Sequence, residues 1–296
     1  MPDPTDPLHA RFIDLHSHTT ASDGSFTPAE LVAIARRSDL AALGITDHDT
    51  FDGYEQALPH ARAAGLQLIR GIELNSRLFL PGSRNPIYVH MLGYFPDREP
   101  SAGFRAWLAG ERDDRRNRNR RLVEALQRRD VNISLEEVEA RGRSLAGRTH
   151  FAHILVEKGY AQNSEDAFRQ YLGENAPSYV ERQSLSTPEV VSMIRDGGGI
   201  PCVAHPVRLR LSRQQERQVL IDLKEAGLLA LEIYHSDHAP DLQAYYRQLA
   251  EELELLPTGG SDFHGSAKPG VALGTGLHGN VRVPFEFLNP LRNLRP

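Results

Sequence analysis

Phe12-Ile13-Asp14-Leu15-His16-Ser17-His18 is an apolar, strand-like run that ends in two histidines. In extended chain, residues i and i+2 project to the same face, so both imidazoles can reach one point beyond the strand end. Other runs end in a similar way: Ile45-Thr46-Asp47-His48-Asp49, Gly71-Ile72-Glu73, Val203-Ala204-His205-Pro206 and Gly260-Ser261-Asp262-Phe263-His264. Imidazole and carboxylate are the side chains that hold Zn, Mn or Fe. A barrel assembles one site from many loops by placing such groups at the ends of several strands.

Working outward, Thr27-Pro28-Ala29-Glu30 is a helix start, with Thr as N-cap, Pro at N1 and Glu at N3. That helix is expected to run to Ser38, followed by a strand over 42–46, a helix over 51–64 stopped by Gly65, and strands over 66–73 and 87–94. From about 97 the texture changes to Arg-rich and helical, and no strand period is visible between 100 and 176. Ser186-Thr187-Pro188-Glu189 reopens the earlier rhythm, with strands expected over 200–204, 228–234 and 255–259 and helices between them. Alternating strands and helices imply a parallel sheet, and seven strand candidates imply an α/β, TIM-like barrel. The expected organisation is a disordered tail over 1–10, a barrel from 11–96 and 186–290, and an inserted helical cap over 97–185, above the barrel mouth.

The chain of 296 residues carries a formal charge of −5 and 25% charged residues, which suits an ordinary soluble globular protein and argues against a duplex DNA-binding surface. Its one cysteine, Cys202, excludes an intrachain disulfide and reads as a small core residue in Ile200–Ala204. The opening Met1–Pro7 shows no basic or apolar signal-peptide region, and no apolar run reaches membrane-spanning length, so a cytoplasmic protein is expected.

Several residues admit two readings. Asp23 before Gly24 reads as a turn residue or as a ligand in the first loop. His90 reads as a core or as a liganding histidine. Asp47 or Asp49 could orient the ring of His48. His235 and His238 follow the sixth strand on the functional face, while His153 reads as packing and His60 as exposed. The Arg112–Arg121 run reads as a solvated helix.

These motifs, in this order, resemble the PHP (polymerase and histidinol phosphatase) family within the amidohydrolase superfamily. The resemblance implies a distorted (β/α)7 barrel with an inserted helical domain and two to three divalent ions, Mn, Fe or Zn. It implies a first ion held by His16, His18, Glu73 and Asp262, a second by Glu73, His90 and His205, and a third by Asp23, His48 and His264. Glu73, Asp262 and His205 would carry catalysis. Three carboxylates against three divalent ions leave a positive excess, which suits a bridging hydroxide and a phosphate dianion.

Arg148-Thr149-His150-Phe151-Ala152 resembles a motif of the subgroup that dephosphorylates nucleoside 3′,5′-bisphosphates and trims short RNA from the 5′ end. Arg148, His150, Arg208 and His235 are the residues expected to bind substrate, Arg for its bidentate grip on phosphate. The expected partner is a small nucleotide or short oligonucleotide, with no membrane. The competing readings are a histidinol-phosphate-type phosphatase and a non-catalytic, metal-binding module.

Overall fold

The computed structural model describes residues 12–83, 85–142, 146–173, 175–181 and 185–294, so the tail expected over 1–10 lies outside the described residues. The chain divides into two compact units, Met1–Arg105 with Ser184–Pro296, and Ala106–Gln183.

The first unit holds β1 (Phe12–Asp14), β2 (Ala42–Ile45), β3 (Gln67–Leu78), β4 (Ile87–Tyr94), β5 (Ile200–Val203), β6 (Ala230–Tyr234), β7 (Leu256–Gly259), and three two-residue strands, β8 (Val271–Ala272), β9 (Gly276–Leu277) and β10 (Val283–Pro284). Helices α1 (Pro28–Arg37) and α2 (Asp52–Ala64) connect the early strands. The capping box expected at Thr27 forms: Glu30 N–H donates to Thr27 Oγ1 at 3.3 Å, and Thr27 N–H donates to Glu30 Oε2 at 2.8 Å. Gly65 ends α2 in the left-handed region, at φ 61°.

The strands form an eight-stranded sheet in the order β10-β1-β2-β3-β4-β5-β6-β7. Beyond the strand ends, β7 returns to β1: Leu15 N–H donates to Gly259 O at 3.1 Å, Asp262 N–H to His16 O at 2.8 Å and His18 N–H to Phe263 O at 2.9 Å. The sheet thus curls into a nearly closed, distorted TIM-like barrel, and its seam closes on the motifs that end in His and Asp.

Two expectations about the sheet are corrected. It is not all parallel, because β4 runs antiparallel to both β3 and β5, and β10 to β1. β3 also continues past Glu73 to Leu78, so Glu73 lies within a strand rather than at its end. The barrel interior is filled by Ile13, Leu15, Ile69, Leu92, Tyr94 and Cys202 among others, all buried.

In the second unit, α3 (Ala102–Gln127, whose first turn belongs to the barrel unit) leads to α4 (Leu135–Gly142), α5 (Arg148–Glu157) and α6 (Ser164–Ala167), which passes into a π-helical turn over Phe168–Leu172. Its core includes Leu122, Leu126, Val138, Phe151, Leu155 and Leu172. The Arg-rich run is not uniformly solvated: Arg115, Arg118 and Asn119 are buried. Together with Leu122 they follow the i, i+3, i+4, i+7 spacing of one helix face. Asn119 Nδ2 donates to Ala146 O at 2.6 Å. His153, expected to pack, is exposed.

After the units separate, α7 (Thr187–Asp196) leads to β5, α8 (Arg213–Glu225) to β6 and α9 (Pro240–Glu252) to β7, and α10 (Leu288–Asn293) closes the described chain. No helix among the described residues is long and apolar enough to cross a membrane.

Candidate metal centre

The side chains expected to act together converge on Glu73. It is buried in β3, and a parallel bridge between His48 and Glu73 brings the loop after β2 alongside it. His18 Nε2 lies 3.1 Å and His16 Nε2 3.4 Å from Glu73 Oε2. His48 Nδ1 lies 3.4 Å from the same oxygen. The other oxygen, Oε1, meets His90 Nδ1 at 2.8 Å and His205 Nε2 at 3.0 Å.

Three groups of potential ligand atoms each lie within 4.8 Å of one another: His16, His18, Glu73 and Asp262; His18, Asp23, His48 and His264; and His48, Glu73 and His90. All nine positions singled out in the sequence therefore meet in one place. His205 joins through Glu73 Oε1, and His18 adjoins the third group as well as the first. Asp23 Oδ1 lies 3.3 Å from His264 Nε2, and its Oδ2 lies 3.6 Å from His48 Nε2.

Such a set fits divalent cations on two grounds. Buried polar atoms normally find hydrogen-bond partners, yet His16 Nε2, His18 Nδ1 and Nε2, and His48 Nδ1 are buried without one of good geometry. They point their ring nitrogens at shared carboxylates. The electrostatics agree. Burial opposes ionisation of Glu73, but the imidazoles of His48, His90 and His16 outweigh it and hold the carboxyl well below its usual range. Asp262 is held low against burial by His16, His18 and His235.

Burial, with nearby cationic groups, pushes His48 down to about 4 and His205 to about 3, so both keep a lone pair at neutral pH. His18 is raised to about 10: burial opposes its charge, and Asp262 and Glu73 overcome that. Metal binding at His18 would therefore be coupled to release of its proton.

The surroundings orient the site. Glu232, fully buried on β6, accepts from His16 Nδ1–H at 2.9 Å and from the backbone N–H of His205 at 2.6 Å. This fixes the His16 tautomer and leaves Nε2 aimed at Glu73. Asp14 accepts from Ser261 N–H at 3.0 Å, Ser261 Oγ at 2.5 Å, His16 N–H at 3.1 Å and Gly274 N–H at 2.7 Å, which ties the β7 loop to β1. Gly260 passes so close to β1 that a Cβ there would stand 2.3 Å from His16 N, so only glycine fits.

Asp47, offered as a partner for the His48 ring, instead accepts from Thr19 N–H at 2.7 Å, Thr19 Oγ1 at 2.8 Å and Ser22 Oγ at 2.6 Å. It shapes the loop that presents Asp23. Three non-glycine residues of these loops have left-handed backbones: Asp49 at φ 53°, His205 at 28° and Asp262 at 55°.

A cavity of about 280 Å³ opens here, lined by Asp23, His48, Glu73, His90, Asp262 and His264 together with Arg208 and Lys268. Asp262 faces two ways. Its Oδ1 lies 3.5 Å from His16 Nε2 and 3.4 Å from His18 Nε2. Its Oδ2 accepts from Lys268 Nζ at 2.8 Å, contacts His235 Nε2 at 3.2 Å and forms an ion pair with Arg208 Nη2 at 3.1 Å. Arg208 Nε also donates to Asp237 Oδ2 at 2.7 Å.

His235 is fully buried and accepts Asp237 N–H on Nδ1 at 2.9 Å, so Nε2 carries the proton given to Asp262. It stands behind Asp262 rather than on the cavity wall. Lys268, Glu232 and Asp14 escaped the sequence reading. Of these, Lys268 alone had a signal, its place four residues past His264 in the same loop.

Within the helical unit, Arg148 Nη1 donates to Leu172 O at 3.3 Å, and its guanidinium lies 5.7 Å from the Tyr179 ring centroid and 6.0 Å from that of Phe168. His150, half-buried, accepts Gly147 N–H on Nδ1 at 3.0 Å.

The PHP domain family profile matches residues 14–183, and the chain belongs to that family. It is 30% identical over 264 residues to a 3′,5′-nucleoside bisphosphate phosphatase of Chromobacterium violaceum, covering 88% of this chain and 90% of that one. To the 5′-3′ exoribonuclease Rnm of Escherichia coli it is 31% identical over 269 residues, covering 88% and 87%. A solved structure from Bifidobacterium adolescentis, itself inferred to be a metal-dependent phosphoesterase, superimposes with a TM-score of 0.76 at 32% identity, covering 95% of this chain and 96% of that one.

Proposed function

We propose that this chain, a metal-dependent phosphoesterase of the PHP family, removes the 3′-phosphate of nucleoside 3′,5′-bisphosphates such as pAp and trims short RNA from the 5′ end. The observation that carries this reading is the single cavity in which the Glu73-centred ligand set meets Arg208 and Lys268.

Two to three divalent ions, Mn, Fe or Zn, would be held by His16, His18, Glu73 and Asp262, by Glu73, His90 and His205, and by Asp23, His48 and His264. Bound ions lower the pKa of water and take up charge that develops on phosphoryl oxygens. Glu73 serves two groups at once, because each oxygen faces different imidazoles. Asp262 offers one oxygen to the centre, while the other holds Lys268 and Arg208 at the cavity wall, where they meet the phosphate dianion. His235 acts on substrate through Asp262. His205, kept neutral by burial, keeps its ring nitrogen available. Arg148 and His150 are proposed as substrate residues on their motif, and a cytoplasmic location suits such substrates.

The test compares kcat/KM for pAp, a 5′-phosphorylated RNA dinucleotide, AMP and histidinol phosphate with the Mn-loaded protein. Preference for pAp or the dinucleotide supports the reading. Preference for histidinol phosphate replaces it with that phosphatase class, and no turnover of any phosphoester favours a non-catalytic module.

A further inference from the structure

The β3–β4 hairpin carries a row of side chains outward from Glu73. Its antiparallel register pairs Glu73 with Leu92, Asn75 with His90 and Arg77 with Tyr88. Paired residues share a face, and successive residues alternate between faces. Glu73, Asn75 and Arg77 therefore lie on one side with Leu92, His90 and Tyr88. The 2.8 Å contact between Glu73 and His90 identifies that side as the one facing the metal centre. On the opposite side, Leu74, Ser76, Val89 and Met91 are buried, and Ser76 Oγ bonds Thr187 Oγ1 at 2.9 Å.

Tyr88 lies two residues beyond His90 on the centre's side, about 7 Å along the strand. It is nevertheless 44% exposed, one of two exposed large hydrophobic residues among those described. An aromatic residue one step out from the proposed phosphate-cleaving centre, with Arg77 opposite it in the strand register, has the chemistry of a nucleotide platform. The ring offers a stacking face, and Arg77 a cation for a phosphate of the same nucleotide.

We infer that Tyr88 stacks the nucleobase of the nucleotide whose phosphate is cleaved, with Arg77 beside it. This rests on the nucleotide reading above. The test sets pAp against its baseless analogue, 1-deoxyribose 3,5-bisphosphate, with the Mn-loaded full chain. Tyr88→Ala should lower kcat/KM for pAp by roughly 5- to 150-fold, chiefly through KM, and narrow the preference for pAp over the analogue by the same factor. Tyr88→Phe, which keeps the ring, should hold that preference. Equal losses on both substrates, or no loss on either, overturn the inference. Wild-type protein that ignores pAp and the 5′-phosphorylated RNA dinucleotide yet cleaves another phosphoester removes the nucleotide reading, and this inference with it; wild-type activity on pAp with an unchanged Tyr88→Ala ratio removes this inference alone.

Discussion

Glu232→Gln isolates how the centre is held. The wild-type carboxylate is fully buried and kept ionised, its pKa lowered to about 2 by His16 against the effect of burial. Its two oxygens each accept one N–H, from His16 at 2.9 Å and from His205 at 2.6 Å. Glutamine has the same shape but one acceptor. Its amide oxygen can serve one donor, and its NH2 group then faces the other. The loss is one charge-assisted hydrogen bond, roughly 1.5–3 kcal/mol. Because that bond sets the tautomer and aim of His16, the loss should appear as metal affinity, a factor of roughly 10 to 100. That factor corresponds to about 1.4–2.8 kcal/mol, so the two scales agree. The assay is competitive Mn titration against a chromophoric chelator, with kcat measured at limiting and saturating metal. Weaker Mn binding, with kcat recovering at saturation, is the expected result. Unchanged Mn affinity in a folded variant would refute the reasoning.

Glu73→Ala removes the carboxylate that both groups of imidazoles share, so it should abolish turnover and cut bound Mn by elemental analysis, whereas exposed His60→Ala should alter neither. Gly260→Ala forces a Cβ to 2.3 Å from His16 N and 2.6 Å from Asp14 Oδ1, and should lower both Tm and Mn content. A thermal melt that matches wild type would show that the β1–β7 seam can part. For the chelated protein, His18 is raised to about 10 from an unfolded value near 6.5, so its stabilisation is present below about 6.5 and drains away as pH climbs towards about 10. Tm in EDTA should therefore fall between pH 7 and 10. The Mn-loaded protein should gain stability from pH 6 to 8, as protons cease to compete with the ions. Slopes of the same sign in both preparations would contradict this.

Much of the barrel was legible because its signals are local. Thr27–Glu30, Gly65 and the apolar runs at 42–45, 87–94 and 200–203 each carry their own physics. The direction of β4 was not legible, since periodicity has no sign and its run looks the same read either way. The continuation of β3 to Leu78 was obscured because Asn75 and Arg77 face the centre's side, where polarity is functional. Of the nine convergent residues, His16, His18, His48, His205, Asp262 and His264 were legible through their place after strands, whereas Glu73 and His90 lie within β3 and β4, and His90 and Asp23 were legible through resemblance. Glu232 was not, because one acid between Leu231 and Ile233 looks like ordinary strand alternation until His16 is placed against it. The buried Arg115 and Arg118 escaped for a related reason: a helix face built of long polar side chains leaves no hydrophobic period.

The left-handed backbones at Asp49, His205 and Asp262 have a consequence for anyone engineering this protein. Each such conformation costs a non-glycine residue about 1 kcal/mol, and it persists only because its surroundings enforce it. A search for heat-tolerant variants that screens for folding alone would be drawn to these positions, where glycine or asparagine relieves the tension. Two of the three, His205 and Asp262, also stand in the candidate metal centre. Such a campaign would trade the catalyst for a sturdier shell. Screening with metal-dependent turnover as a second filter would keep robustness and competence in the same clone.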